Sequence, residues 1–196
     1  MNTERDEPSD THRAHTDSER RHPAVIATAV ALPVALLVGV IVAAVMVSGE
    51  SIRPPEALGP VDAPAADSAE CSTLLDGLPA DLGDYSRAEL LDPAPVGAVA
   101  WAPDDATADA VVLRCGLPRP LGFDVASALQ VINDVQWFEV SGADAGIDAS
   151  TWYAVDRPVY VALTVPGGSG PTPLQDASDA ISATLPQTPL DPAPLE

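Results

Sequence analysis

The sequence predicts an α+β domain: a small antiparallel sheet of about five strands, helices packed on one of its faces, and one disulfide. A single transmembrane helix is expected ahead of it. Three observations predict this. Residues 24–47 carry no charge; short β-branched runs bounded by turn residues lie between 96 and 165 and are followed by a segment of helical period; and both cysteines, Cys71 and Cys115, fall beyond the uncharged run. Strands first and a covering helix afterwards describe a sheet with helices segregated to one face.

The uncharged run organises the chain. As a helix it reaches roughly 36 Å, against a hydrocarbon core of about 30 Å. A cleaved secretory signal has an apolar core of only about 7–15 residues followed by a small-residue cleavage site, so an uncleaved signal-anchor is expected. Pro33 is tolerable there where neighbouring groups re-satisfy the freed carbonyl. Arg20 and Arg21 abut the N-terminal end, with Arg5 and Arg13 behind them, whereas the other flank offers only Arg53. Cationic residues stay in the cytoplasm, which places the N-terminus inside the cell membrane and the rest of the chain outside.

Five segments follow: a polar cytoplasmic tail over 1–22, expected to be disordered; the span over 23–48; a Pro/Ala/Asp-rich linker over 49–70; a globular domain over 71–186; and a disordered Pro-rich tail over 187–196. An extended proline-rich linker could hold the domain up to roughly 70 Å from the membrane. Within the span, Ala27, Ala31, Ala35, Gly39 and Ala43 recur at four-residue spacing. Small residues so spaced let two helices approach closely, as in a homodimer or docking onto another membrane protein. An alanine-rich helix also produces such a stripe by chance.

Charge narrows the partners. The net charge is −20, and no lysine is present. Nucleic acid is excluded, because neutralising phosphates needs a basic face. The two extracytoplasmic cysteines read as one structural disulfide. Closing a loop of that length stabilises by about 4 kcal/mol on the chain-entropy estimate.

The elements follow from local pattern. Residues 71–76 form a short helix stopped by Gly77 and Pro79; 96–101 and 110–115 form a hairpin; 125–133 is a short helix with Val125, Leu129 and Ile132 on one side; 135–140, 151–155 and 159–165 are strands; and 173–185 is a helix ended by Pro186. All the aromatics fall between 85 and 160, which places the core.

Chemistry is limited by what the outer domain lacks. His12, His15 and His22 are all the histidines, and they precede the span. That removes His-assisted nucleophiles, Schiff-base chemistry and the usual zinc ligand sets. Carboxylates remain, with Asp104, Asp105 and Asp109, or Asp144 and Asp148, as close groups in Ala/Gly-rich turns. The 142–148 stretch lacks the alternating oxygen ligands of an EF-hand. No catalytic residue, cofactor or metal site is expected. Arg114 and Arg119 flank Cys115, and each is either a structural ion pair or an anion contact. Trp137 and Trp152 are either core or a binding platform.

With Ala100-Trp101, the Val112–Gly116 run and Asp134–Trp137 laid out, the chain resembles an uncharacterised actinobacterial family of single-pass, secreted-side proteins carrying a domain of unknown function. The likeness rests on a Trp-containing segment, a VLRCG-P element and an xVxW element, and covers most of 71–186. The family's Gly-Asp-Pro after the tryptophan is replaced by Ala102-Pro103-Asp104-Asp105. The resemblance implies an envelope protein and supplies no activity. Two functions are therefore carried forward. The first is a non-enzymatic, membrane-tethered domain that binds a partner or helps assemble the envelope. The second is a cell-wall-directed enzyme or ligand-binding module using carboxylates with Arg114 or Arg119.

Overall fold

Two β-meanders meet at the centre of one sheet in the computed structural model, which describes residues 53–105 and 107–195. The first runs inward from one edge as β1 (Asp81–Leu82), β2 (Tyr85–Ala88), β3 (Ala98–Pro103) and β4 (Val111–Leu117). The second runs inward from the other edge as β5 (Gln130–Ile132), β6 (Val135–Ser141), β7 (Ala149–Ala154) and β8 (Tyr160–Pro166). The order is β1-β2-β3-β4-β8-β7-β6-β5, and all neighbours are antiparallel.

The sheet thus has eight strands rather than the five expected. The anticipated strands correspond to β3, β4, β6, β7 and β8; β1, β2 and β5 are additional. β1 and β2 are short and carry polar residues, so they lack a periodic signal; β2 exists by pairing with β3, and β1 by pairing with β2. β5 replaces the end of the helix expected over 125–133. The Asp124 carboxylate accepts from the Ala126 amide at 2.8 Å and the Ser127 hydroxyl bonds the Gly122 carbonyl at 3.1 Å. Such local side-chain bonds compete with helix formation. Asn133 and Asp134 then both adopt positive φ (45° and 64°), and Ile132 pairs directly with Val135. This is a two-residue hairpin turn of the type whose twist matches paired strands.

The expected transmembrane span, its small-residue face and the 1–22 tail lie outside the described residues. Among the described residues no helix is long and apolar enough to cross a membrane.

Helices α1 (Ala69–Gly77) and α2 (Thr172–Thr184) share one face of the sheet and touch each other. Ser68 caps α1 by accepting from the Cys71 amide at 3.2 Å. Gly77 leaves room for Thr184 of α2, since a side chain there would collide with its methyl group. Between helices and sheet, Cys71, Leu74, Trp101, Leu113, Cys115, Trp137, Leu163 and Ile181 are fully buried. Each buried tryptophan finds an acceptor: the Trp101 indole donates to the Pro79 carbonyl at 3.1 Å and that of Trp137 to the Ser178 hydroxyl at 2.9 Å.

The other face is crossed by irregular chain. The Pro/Ala/Asp-rich stretch, expected to be a spacer, is bonded to the domain where it is described. Arg53 donates to the Pro103 and Ala108 carbonyls at 2.7 and 3.0 Å, Glu56 bridges to Leu90, and Ala65 donates to the Gly116 carbonyl at 3.0 Å. The tail beyond 187 is also tied down. Thr188 donates to the Asp156 carbonyl at 2.9 Å and Ala193 to that of Phe123 at 3.0 Å. Phe123 is buried, its ring centroid 5.5 Å from that of Phe138.

Candidate functional site

Strand alternation carries Trp152 to the helix-covered face near its open end, directly opposite Glu139 on β6 and Leu163 on β8. Beyond this point the β6–β7 connection turns through the 3₁₀ segment Ala143–Ala145, and β8 runs into Gly167, Gly168, Ser169 and Gly170. Gly168 and Gly170 take positive φ (78° and 70°), which glycine adopts without strain. The two turns enclose an open cleft of about 250 Å³.

Ile147, Asp148, Ser150, Trp152, Pro166 and Ser169 line this cleft, and no lining residue is basic. Trp152 is half-buried against the core, unlike the sealed Trp101 and Trp137. The Asp148 carboxylate lies where a side chain at 167 would project, so any side chain there would displace it. Ser150 donates to the Glu139 carboxylate at 2.8 Å. The Ser169 hydroxyl donates to the Pro166 carbonyl at 2.7 Å, leaving its oxygen to accept from Tyr85 at 2.6 Å. The site therefore combines an aromatic wall, the Asp148 carboxylate and oriented hydroxyls, with the Glu139 carboxylate at its edge through Ser150.

The other residues singled out by sequence do not meet here. Cys71 and Cys115 form the disulfide, with Cα atoms 5.6 Å apart. Arg114, on the opposite face, donates to the Gly59 carbonyl at 3.0 Å, and burial pulls its guanidinium below its ordinary pKa. Arg119 sits 3.4 Å from the exposed Asp191 carboxylate, a pairing of little energetic weight. Trp137 is core. The positions 27, 31, 35, 39 and 43 lie outside the described residues.

The VLRCG-P element has a structural explanation. Cys115 ties β4 to α1, Arg114 holds Gly59 on the opposite face, and Gly116 sits at a break in register with φ 83°. A side chain at Gly116 would strike the backbone joining Ala65 and Ala66. One strand end thus clamps both the entry helix and the preceding chain.

Sequence reading missed the buried pair Asp156–Arg157, because Asp-Arg-Pro after a strand looks like a solvated turn. Their charged groups lie 2.9 Å apart and both side chains are buried. Gln136 and Gln187 reach the Asp156 carboxylate at 3.4 and 3.2 Å, and Arg157 donates to the Asp134 carbonyl at 2.8 Å. A second depression, beside Asp81, Asp176 and Asp179, has structural uses for two of its acids. Asp176 accepts from the Gly83 amide at 2.8 Å and Asp179 from the Asn133 side chain at 2.9 Å.

No curated protein and no solved structure matches this chain. The model of one family, described as a protein of unknown function, matches residues 30–190, which takes in the disulfide, the whole sheet and the Trp152 cleft. More than half of the chain is covered, and the protein belongs to this family, DUF3515.

Proposed function

We infer that this chain is a membrane-tethered, extracytoplasmic binding module of the cell envelope, with no enzymatic activity of its own. The observation that carries the reading is Trp152: one tryptophan of three is left half-exposed on the wall of a polar cleft, while the others are sealed in the core. Half-exposed aromatics beside convergent polar groups are how small sites bind. Two features support the location. A disulfide accounts for both cysteines of the chain, which suits an oxidising compartment. The 24–47 run is long enough to span a bilayer, with its cationic flank on the N-terminal side. The absence of catalysis is argued from composition: residues 53–195 contain neither histidine nor lysine. Ala27, Ala31, Ala35, Gly39 and Ala43 would add a membrane-embedded contact with a partner helix or a second copy.

The test is made on the full chain in intact cells, with an N-terminal tag and a photo-crosslinking residue at Ile147 on the cleft rim. Carbonate-resistant membrane association, digestion of the domain by added protease with the tag protected, and a discrete Ile147 adduct are expected. Protein released by carbonate, a domain protected from protease, or no adduct would overturn the reading.

A further inference from the structure

We propose that the Trp152 cleft binds a primary alkylammonium group, a specificity that rests on the binding-module reading and sharpens it. The aromatic wall comes first. The face of an indole is the negative end of its quadrupole and attracts cations most strongly among the aromatics. Glu139 is the direct cross-strand partner of Trp152, which puts its Cβ about 4.5–5.5 Å from that of the tryptophan on the same face. Its carboxylate is oriented by the Ser150 hydroxyl at 2.8 Å. Asp148 lines the cleft from the end of the β6–β7 connection, beside Gly167. A cation resting on the ring therefore meets Asp148 within the cleft and has Glu139 at the cleft's edge, held by Ser150.

Size and charge narrow the occupant. Drug-sized ligands fill about 300–1,000 Å³, so a cleft of about 250 Å³ admits a chain end. With Asp148 in the lining, Glu139 at the edge and no basic lining residue, anions are repelled. An ammonium is compact and carries three donors, which suits one carboxylate and hydroxyls lining a small volume with a second carboxylate at its edge. The net charge of −20 also draws cations to this surface. A lysine side chain of a protein partner and a small free amine share this chemistry.

Intrinsic fluorescence can test this on the full-length protein in detergent micelles, because Trp152 is the half-exposed tryptophan. The probes are a short lysine-bearing peptide, its Nε-acetylated form, putrescine and N-acetylglucosamine. Saturable emission changes are expected with the peptide and with putrescine, weakened by added salt and absent with the acetylated peptide. Glu139→Gln and Asp148→Asn preserve shape and should each weaken binding about tenfold. Tighter binding of the peptide than of putrescine would assign a protein partner; equal binding would assign a free amine. Equal binding of the acetylated peptide, binding of the saccharide alone, indifference to both variants, or no response would overturn the proposal. If the proposal fails while the Ile147 adduct persists, the module reading stands with another ligand. If the adduct is also missing, both fall.

Discussion

Asp156 and Arg157 are neighbours in sequence and also an ion pair, 2.9 Å apart and buried at the β7–β8 turn. The pair joins three parts of the chain: Gln136 on β6 and Gln187 in the C-terminal segment reach the carboxylate, and the guanidinium bonds the Asp134 carbonyl. Removing one member leaves the other charge buried without compensation. Arg157→Met alone should lower unfolding free energy by about 3–5 kcal/mol. Adding Asp156→Asn should recover part of that loss, as read by urea unfolding.

Gly116 and Gly122 offer a matched comparison. Both take positive φ (83° and 79°), but a side chain at 116 meets the Ala65–Ala66 backbone, whereas nothing lies within 4 Å at 122. Gly122→Ala should cost about 1–2 kcal/mol, the conformational penalty alone. Gly116→Ala should cost more and should make residues 53–66 sensitive to limited proteolysis. Equal costs would mean that the segment does not pack there.

Replacing both Cys71 and Cys115 by alanine removes the link between α1 and the central strand β4. The expected loss is about 4 kcal/mol, from restored unfolded-chain entropy together with any loss of packing. Thermal melting with and without reductant measures it in the unaltered protein.

Acrylamide quenching should distinguish the tryptophans. Trp101 and Trp137 are fully buried and Trp152 is half-exposed. Trp152→Phe should remove most of the quenchable emission while leaving the buried component.

Alkaline pH should destabilise the domain through Tyr153 and Tyr160. Burial raises the phenol pKa of Tyr153 above its ordinary value of 10.0; burial, then the nearby Asp191 carboxylate, raises that of Tyr160, partly opposed by Arg119. A raised folded-state pKa means that the unfolded chain releases its proton first. The stabilisation is therefore complete below pH 10 and is lost as pH climbs through the raised values. Melting temperature should fall above that point, and Tyr153→Phe should make the fall shallower.

Much of the domain was legible from local pattern. Val111, Leu113 and Cys115 alternate with Val112 and Arg114, and this period of two marks β4 without knowledge of its partners. Leu174, Ala177 and Ile181 mark α2 by their spacing of three and four. The 125–133 segment misled because Val125, Leu129 and Ile132 mimic helical spacing. The contrary signal was Asn133-Asp134 between two β-branched residues, a hairpin turn.

The sequence by itself determined the positions of the strongest strands, the identity of the disulfide, and the absence of histidine and lysine from residues 53–195. These depend on composition or on short-range periodicity, which the backbone's own geometry imposes. Only the tertiary structure decided that Trp137 is core and Trp152 lines a cleft, that Arg114 holds Gly59, and that Asp156 and Arg157 are buried. Each of those depends on strand register. A shift of one residue exchanges the two faces of a strand, and register is set by partners far away in the chain.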